Sequence, residues 1–246
     1  VRTFLKYREP DQYPGVNQAE LDYIAAGGGL IRVSAETDAG FSWERVGALL
    51  RFRQIWGACL GQFGGNSTLV FFLTWFPTYL ATERQMGWIK IGFFAVMPFL
   101  AAAAGVMIGG IVSDMLLKRT GSANIARKFP IIAGLLGAST IIGANYVSSD
   151  AAVIAILSFA FFAQGMTGLG WTLVSDIAPR KLMGLTGGVF NFAANLAGIV
   201  TPLVIGFIVA RTGSFHYALA YVGAVALVGA LSYIFVLGDV KRLEVD

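Results

Sequence analysis

The chain has 246 residues, 56% of them hydrophobic and only 13% charged, with 31 glycines, 19 phenylalanines and a net charge of +4. A water-soluble globular protein carries roughly 25% charged residues, so half that density excludes an ordinary soluble domain. The slight basic excess does not indicate nucleic acid, because the apolar stretches between the charges are too long for a basic-patch protein.

The sequence opens on Val1, without Met and without a signal-peptide pattern, and reads as a fragment or a processed product. Residues 1–53 hold seven basic and seven acidic side chains, Pro10, Pro14 and the run Gly27, Gly28 and Gly29, and belong in water. Asn17 followed by Glu20 predicts a capping-box-like helix start, with Leu21 and Ile24 on one face and the glycines as a stop. Ser42 is a candidate cap for a second helix, in which Trp43, Val46, Leu49, Leu50 and Phe52 alternate with Arg45, Arg51 and Arg53. That pattern suits an amphipathic lead-in at a membrane surface.

Residues 54–240 carry six long apolar stretches, 55–80, 91–117, 130–147, 151–174, 182–210 and 217–237, before a short tail at 241–246. About 20 apolar residues cross some 30 Å of hydrocarbon, and six such stretches joined by short polar breaks predict a six-helix transmembrane bundle. The single Cys59 lies inside the first and reads as a small buried hydrophobe. Of the 18 lysines and arginines, 15 fall on one side of this topology. Only Arg84, Lys90 and Arg211 fall on the other, so the positive-inside rule puts both ends of the segment in the cytoplasm. Gly61 and Gly65, Gly105 and Gly109, and Gly184 and Gly188 have the small-xxx-small spacing of closely packed membrane helices. Pro77, Pro98 and Pro202 remove backbone hydrogen bonds within spans and permit kinks.

Polar groups at membrane depth cost free energy, so the few present are informative. Gln62 and Asn66 share one helix face, with Thr74 lower on a nearby face. Gln164 and Trp171 lie two turns apart on one stripe, and Asn191 and Asn195 pair at i, i+4. Together they outline a polar cavity in which amides supply donors and acceptors to a polyhydroxylated ligand and an indole supplies an apolar plate. The alternative is that these amides bond only to neighbouring helices. No carboxylate, lysine or arginine falls at the centre of a span; Asp114 and Asp176 sit at one set of helix ends, Glu83 and Asp150 at the other. With the one histidine, His216, at a span edge, no catalytic or metal-binding constellation can be assembled, so neither an enzyme nor a cofactor is expected.

The turn after the second span runs Gly110, Asp114, Lys118, Arg119, an acid four residues before paired bases. It resembles the signature loop of the major facilitator superfamily, a twelve-helix fold in which the pattern recurs in both halves. The likeness extends through Ser175-Asp-Ile-Ala-Pro179-Arg180, Gly184-Leu-Thr-Gly187-Gly188-Val-Phe-Asn191 and Thr201-Pro202-Leu-Val-Ile-Gly206. It also takes in Phe71-Phe-Leu-Thr-Trp75-Phe-Pro77 and the opening Tyr7-Arg-Glu-Pro10 and Glu20-Leu-Asp-Tyr23. These segments are similar to the anion:cation symporter family, especially bacterial sugar-acid carriers for glucarate, galactarate and galactonate.

The resemblance implies an all-α inner-membrane protein, the C-terminal half (helices 7–12) of a proton symporter, preceded by a cytoplasmic interdomain loop. It implies that Gln62, Trp171 and Asn191 contact the sugar acid, and that the N-terminal half supplies the substrate-facing arginine and the proton-carrying acid. Asp114, Lys118 and Arg119 would then latch the cytoplasmic side in alternating access. Gly168 and Gly170 stand where some galactonate carriers are richer in hydroxyls, which leaves the particular sugar acid open. The rival readings are a carrier of a hexuronate or an aromatic carboxylate, a six-helix accessory subunit without transport activity and, last, an intramembrane enzyme.

Overall fold

The computed structural model describes residues 8, 10–26 and 42–244. The chain divides into two units, one of Val1–Ser42 with Arg180–Leu182, the other of Trp43–Pro179 with Met183–Asp246. In the first, α1 (Gln18–Ala26) starts where the sequence places it. The Asn17 side chain accepts the Glu20 N–H at 2.9 Å, which satisfies a donor that the first helical turn leaves open. The expected glycine stop at 27–29, and the likeness at Tyr7 and Glu9, lie outside the described residues.

The second unit is all helical among the described residues. It contains α2 (Trp43–Leu49), α3 (Arg53–Thr74), α4 (Phe76–Thr82), α5 (Trp88–Thr120), α6 (Ala123–Ser139), α7 (Asp150–Gly165), α8 (Gly170–Ile177), α9 (Met183–Thr212) and α10 (His216–Leu231). The amphipathic lead-in α2 therefore belongs with the bundle, and its helix stops at Leu49, short of the expected Phe52. Short 3₁₀ segments extend α6 to Tyr146 and join α7 to α8 through Met166–Leu169.

Five helical segments are long and apolar enough to cross a membrane: Trp88–Thr120, Ala123–Tyr146, Asp150–Ile177, Arg180–Thr212 and His216–Val236. The expected first span differs. Its 22-residue helix α3 carries Gln62, Asn66, Ser67 and Thr68 among four glycines, which lowers its apolar character. It also ends at Thr74, and the chain restarts at Phe76 with Pro77 in the first turn of α4, where a missing N–H costs nothing. The sequence reading of one unbroken stretch to Leu80 missed this break, because apolar composition runs through it.

The glycines of α3 explain how the bundle closes. A Cβ on Gly57 would lie 2.6 Å from the Leu237 backbone, on Gly61 1.9 Å from the Tyr233 ring, and on Gly64 2.9 Å from Val225 O. This stripe is a groove that seats the last helix, running antiparallel to α3. The pair at Gly105 and Gly109 likewise seats α5 against Phe162 and Met166, whereas Cβ atoms on Gly184 and Gly188 would meet nothing within 4 Å. That third pair therefore packs against no helix among the described residues.

A buried aromatic cluster of Phe71, Phe72, Phe76, Tyr79, Phe161 and Phe215 fills one end of the bundle, with Phe72 and Phe161 stacked at 4.1 Å. Polar clamps close that end. The Glu83 carboxylate accepts from Ser214 Oγ (3.0 Å) and Phe215 N (3.1 Å), and Arg84 pairs with Asp150 at 3.1 Å and donates to Ser148 O. At the opposite end Arg127 donates to Asp176 Oδ2 (3.1 Å) and to Ser113 Oγ (2.9 Å), tying α6 to α8 and α5. The tail turns at Gly238 (φ +67°), its carbonyl accepting from Lys128, and Leu243 N reaches Ile177 O at 2.8 Å. The Arg127 fork serves two acceptors at once, which a lysine's compact ammonium reproduces poorly. Because Asp176 is about one-third exposed, Arg127→Ala is expected to cost only about 1–2 kcal/mol, read as a lower midpoint in thermal unfolding.

Candidate functional site

Helices α3 and α9 run side by side in the same direction. Cys59 approaches Val189 O (4.0 Å), Asn66 Nδ2 donates to Ala194 O, and Thr201 Oγ1 donates to Ser67 Oγ at 2.9 Å within the buried contact. Cys59, Gln62 and Asn66 follow each other at i, i+3 and i+7, one stripe of α3, so Gln62 lies between two contacts that α3 makes with α9. Polar bridges of this kind hold membrane helices together where burial from water supplies no drive.

The third wall comes from the start of α8. Here the backbone departs from the sequence reading: four residues of 3₁₀ helix, Met166–Leu169, intervene between Gln164 and Trp171. A 3₁₀ residue advances about 120° against 100° for α, so those four rotate Trp171 by roughly 80° off the stripe of Gln164. Trp171 turns instead toward α9. Its ring meets Phe190 edge to face at 5.0 Å, and a Cβ on Gly187 would lie 3.9 Å from it.

Gly170, beside it, marks where the walls meet. A Cβ there would lie 3.1 Å from Gln62 Oε1, 3.1 Å from Phe190 Cζ and 3.7 Å from the Tyr233 hydroxyl. Gln62, Trp171 and the Gly187–Asn191 turn of α9 therefore gather at one joint among three helices. Trp171 is 48% exposed and Asn191 is exposed, although both lie in apolar segments.

The five candidate polar residues separate by what their side chains already bond. Asn66 is tied to Ala194 O, and Asn195 Nδ2 donates to Asn191 O at 2.8 Å within its own helix. Thr74 also bonds locally, to Val70 O at 2.7 Å. Among the described residues, the carboxamides of Gln62 and Asn191 and the indole N–H of Trp171 make no hydrogen bond. An amide at membrane depth without a helix partner is the costly case, and it suits a site that a polar ligand fills.

Residues 3–202 match the sequence profile of the Major Facilitator Superfamily. The chain belongs to that superfamily. It is 46% identical, over 96% of its own length and 54% of the relative's, to a protein named probable galactarate/D-glucarate transporter in Escherichia coli strain K12. It is also 46% identical to the D-galactonate transporter of Escherichia coli O6:H1, over 98% of this chain and 56% of the relative. A hexuronate transporter of Bacillus subtilis shares 31% over 82% of this chain and 49% of its own length. The chain spans about half the length of the curated relatives it matches. It is a multi-pass membrane protein of this superfamily.

The turn that resembles the superfamily signature sits where α5 meets α6. Gly121 at φ +64° ends α5 with its N–H on Leu117 O, and Ser122 Oγ accepts from Ile125 N to start α6. Asp114, Lys118 and Arg119 are exposed on the last turns of α5 and make no ion pair among the described residues. The neighbouring Ser113, in contrast, is fully buried and engaged by Arg127. Sequence reasoning did not single out the Arg127–Asp176 pair or Tyr233. The first joins residues 49 apart in sequence, and the second is one tyrosine within an apolar run.

Proposed function

We propose that the chain is the C-terminal half of a twelve-helix secondary transporter that imports a sugar acid such as glucarate, galactarate or galactonate with protons. In this reading α3 and α4 together make a sixth span, residues 1–53 link to the N-terminal half and 241–246 form a tail. Both ends face the cytoplasm of a bacterial inner membrane. The observation that carries it is the joint of α3, α8 and α9, where three polar side chains make no hydrogen bond among the described residues.

The chemistry follows from those groups. The Gln62 and Asn191 carboxamides donate N–H to carboxylate or hydroxyl oxygens and accept from sugar hydroxyls, while Trp171 offers its face to the C–H side of the ligand. Asn66 and Asn195 each keep a carbonyl oxygen for a hydroxyl. The negative charge of the substrate and the proton are left to groups of the N-terminal half. Alternating access rocks the two halves about this site.

Asp114, Lys118 and Arg119 latch that half to this one on the cytoplasmic side, which accounts for charges exposed and unpaired here. Asp114→Asn is expected to lower the maximal uptake rate at least fivefold while expression and melting temperature stay within error. Unchanged uptake kinetics would remove the latch.

Uptake by the full-length protein in proteoliposomes tests the whole reading. Galactarate, D-glucarate, D-galactonate and a hexuronate are compared with and without an inward proton gradient. Gradient-dependent uptake of one of the first three supports it; uptake of the hexuronate alone redirects the substrate assignment, and no uptake of any overturns it.

A further inference from the structure

The last helix carries a feature with no role in the site as described. From Ser232 to Val236 it widens into a π turn, closed by Leu237 N donating to Ser232 O at 2.8 Å. Such turns insert one residue into the helical register and occur frequently at functional sites. Ser232 fixes the start of this one: its hydroxyl lies 3.0 Å from Gly57 O on α3 and 2.7 Å from Gly229 O.

The residue that the π turn re-aims is Tyr233. Its ring lies in the notch left by Gly61, where a Cβ would stand 1.9 Å from Cε2, and the residue is 1% exposed. Its hydroxyl makes no hydrogen bond among the described residues. The ring is buried, but the hydroxyl is not among the sealed unpaired polar atoms of the described residues, so it keeps some accessible surface. It comes within 3.7 Å of the point, set by Gly170, that lies 3.1 Å from Gln62 Oε1. Two polar groups without partners, from α3 and the last helix, thus converge on the same gap behind Trp171.

We infer that Tyr233 is a positioning residue of the sugar-acid site: when the anion binds, the Gln62 carboxamide, unbonded in the structure, turns its Oε1 onto the phenol and so presents its NH₂ to the anion. A carboxamide alone presents either end to a ligand, and only the nitrogen end suits a carboxylate. A donor held rigidly at the oxygen end selects the useful orientation. Gly61 admits the ring, the π turn sets its angle, and Gly170 leaves the gap open. The inference rests on the reading of Gln62 as a substrate contact.

The test uses the full-length transporter in proteoliposomes with whichever of galactarate, D-glucarate and D-galactonate it transports. Tyr233→Phe fills the same notch and removes only the hydroxyl. It is expected to raise KM about three- to tenfold, the size of one neutral hydrogen bond, with maximal rate and melting temperature unchanged. In a Gln62→Ala background the same change is expected to add less than twofold, because the group it orients is gone. An unchanged KM in Tyr233→Phe, an equal effect in both backgrounds, or a fall in melting temperature that accounts for the loss each overturns the inference. If Gln62→Ala itself leaves KM unchanged, the substrate-site reading falls and this inference with it; if Gln62→Ala raises KM but Tyr233→Phe acts additively, only the inference falls.

Discussion

On the proposed function, replacing Gln62 by alanine in the full-length protein is expected to raise the KM for the transported sugar acid about 10- to 100-fold without lowering the melting temperature. A hydrogen bond to a charged group contributes about 1.5–3 kcal/mol, and each 1.4 kcal/mol is a factor of ten. Stability is spared because the Gln62 carboxamide makes no hydrogen bond among the described residues, so its removal breaks none that the structure holds. Asn66, one turn further along the same face, provides the control. Its side chain bridges to Ala194 O, so Asn66→Ala is expected to lower the melting temperature while raising KM far less. Uptake kinetics and thermal unfolding on the same preparations separate the two effects. A Gln62→Ala protein that transports with wild-type KM would show that the unpaired amide does not meet the substrate.

Gly105→Ala is expected to be the most damaging single methyl in the described bundle, with little folded protein recovered after solubilisation. The added Cβ would stand 1.9 Å from Phe162 O and 2.8 Å from its carbonyl carbon. A carbonyl locked in a helix cannot swing aside as a side-chain tip does, so α5 and α7 must move apart along their contact. Gly165 faces the same seam from the other side, with Ala102 O 2.3 Å from its Cβ position, so separation loosens both. Overpacking in a well-packed interior costs about 1–3 kcal/mol, and backbone against backbone belongs at the upper end. Gly110→Ala, on the same helix but with nothing within 4 Å, is expected to behave as wild type or slightly better, since alanine favours a helix. Equal melting temperatures for the two variants would show that the seam yields.

The contrast between these glycines illustrates what was legible in the sequence. Spacing four apart identified Gly105 with Gly109 and Gly61 with Gly65 as packing pairs, and they are. It identified Gly184 with Gly188 on the same ground, yet that pair packs against no helix among the described residues. Spacing reports that a helix has a flat stripe, not what lies against it. The amides follow the same pattern. Depth in an apolar stretch singled out Gln62, Asn66, Asn191 and Asn195, but it could not tell that Asn66 is engaged by the Ala194 carbonyl of another helix and Asn195 by the Asn191 carbonyl of its own, while the other two side chains stay unbonded among the described residues. Trp171 was placed on the stripe of Gln164 by assuming an unbroken α-helix, and four residues of 3₁₀ helix turned it toward Phe190 instead.

By itself the sequence determined the solvent, the run of membrane-crossing helices, the uneven distribution of lysine and arginine, and membership of the superfamily. These are sums over composition and local order, which survive any error in how a helix is rotated. The tertiary structure alone decided the break at Trp75, the Arg127–Asp176 pair, the partnerless Gln62 and the approach of Tyr233 through the Gly61 notch. Each depends on the azimuth of one helix against another, and in lipid that angle is set by close packing and a few polar contacts rather than by a hydrophobic face that the chain could advertise.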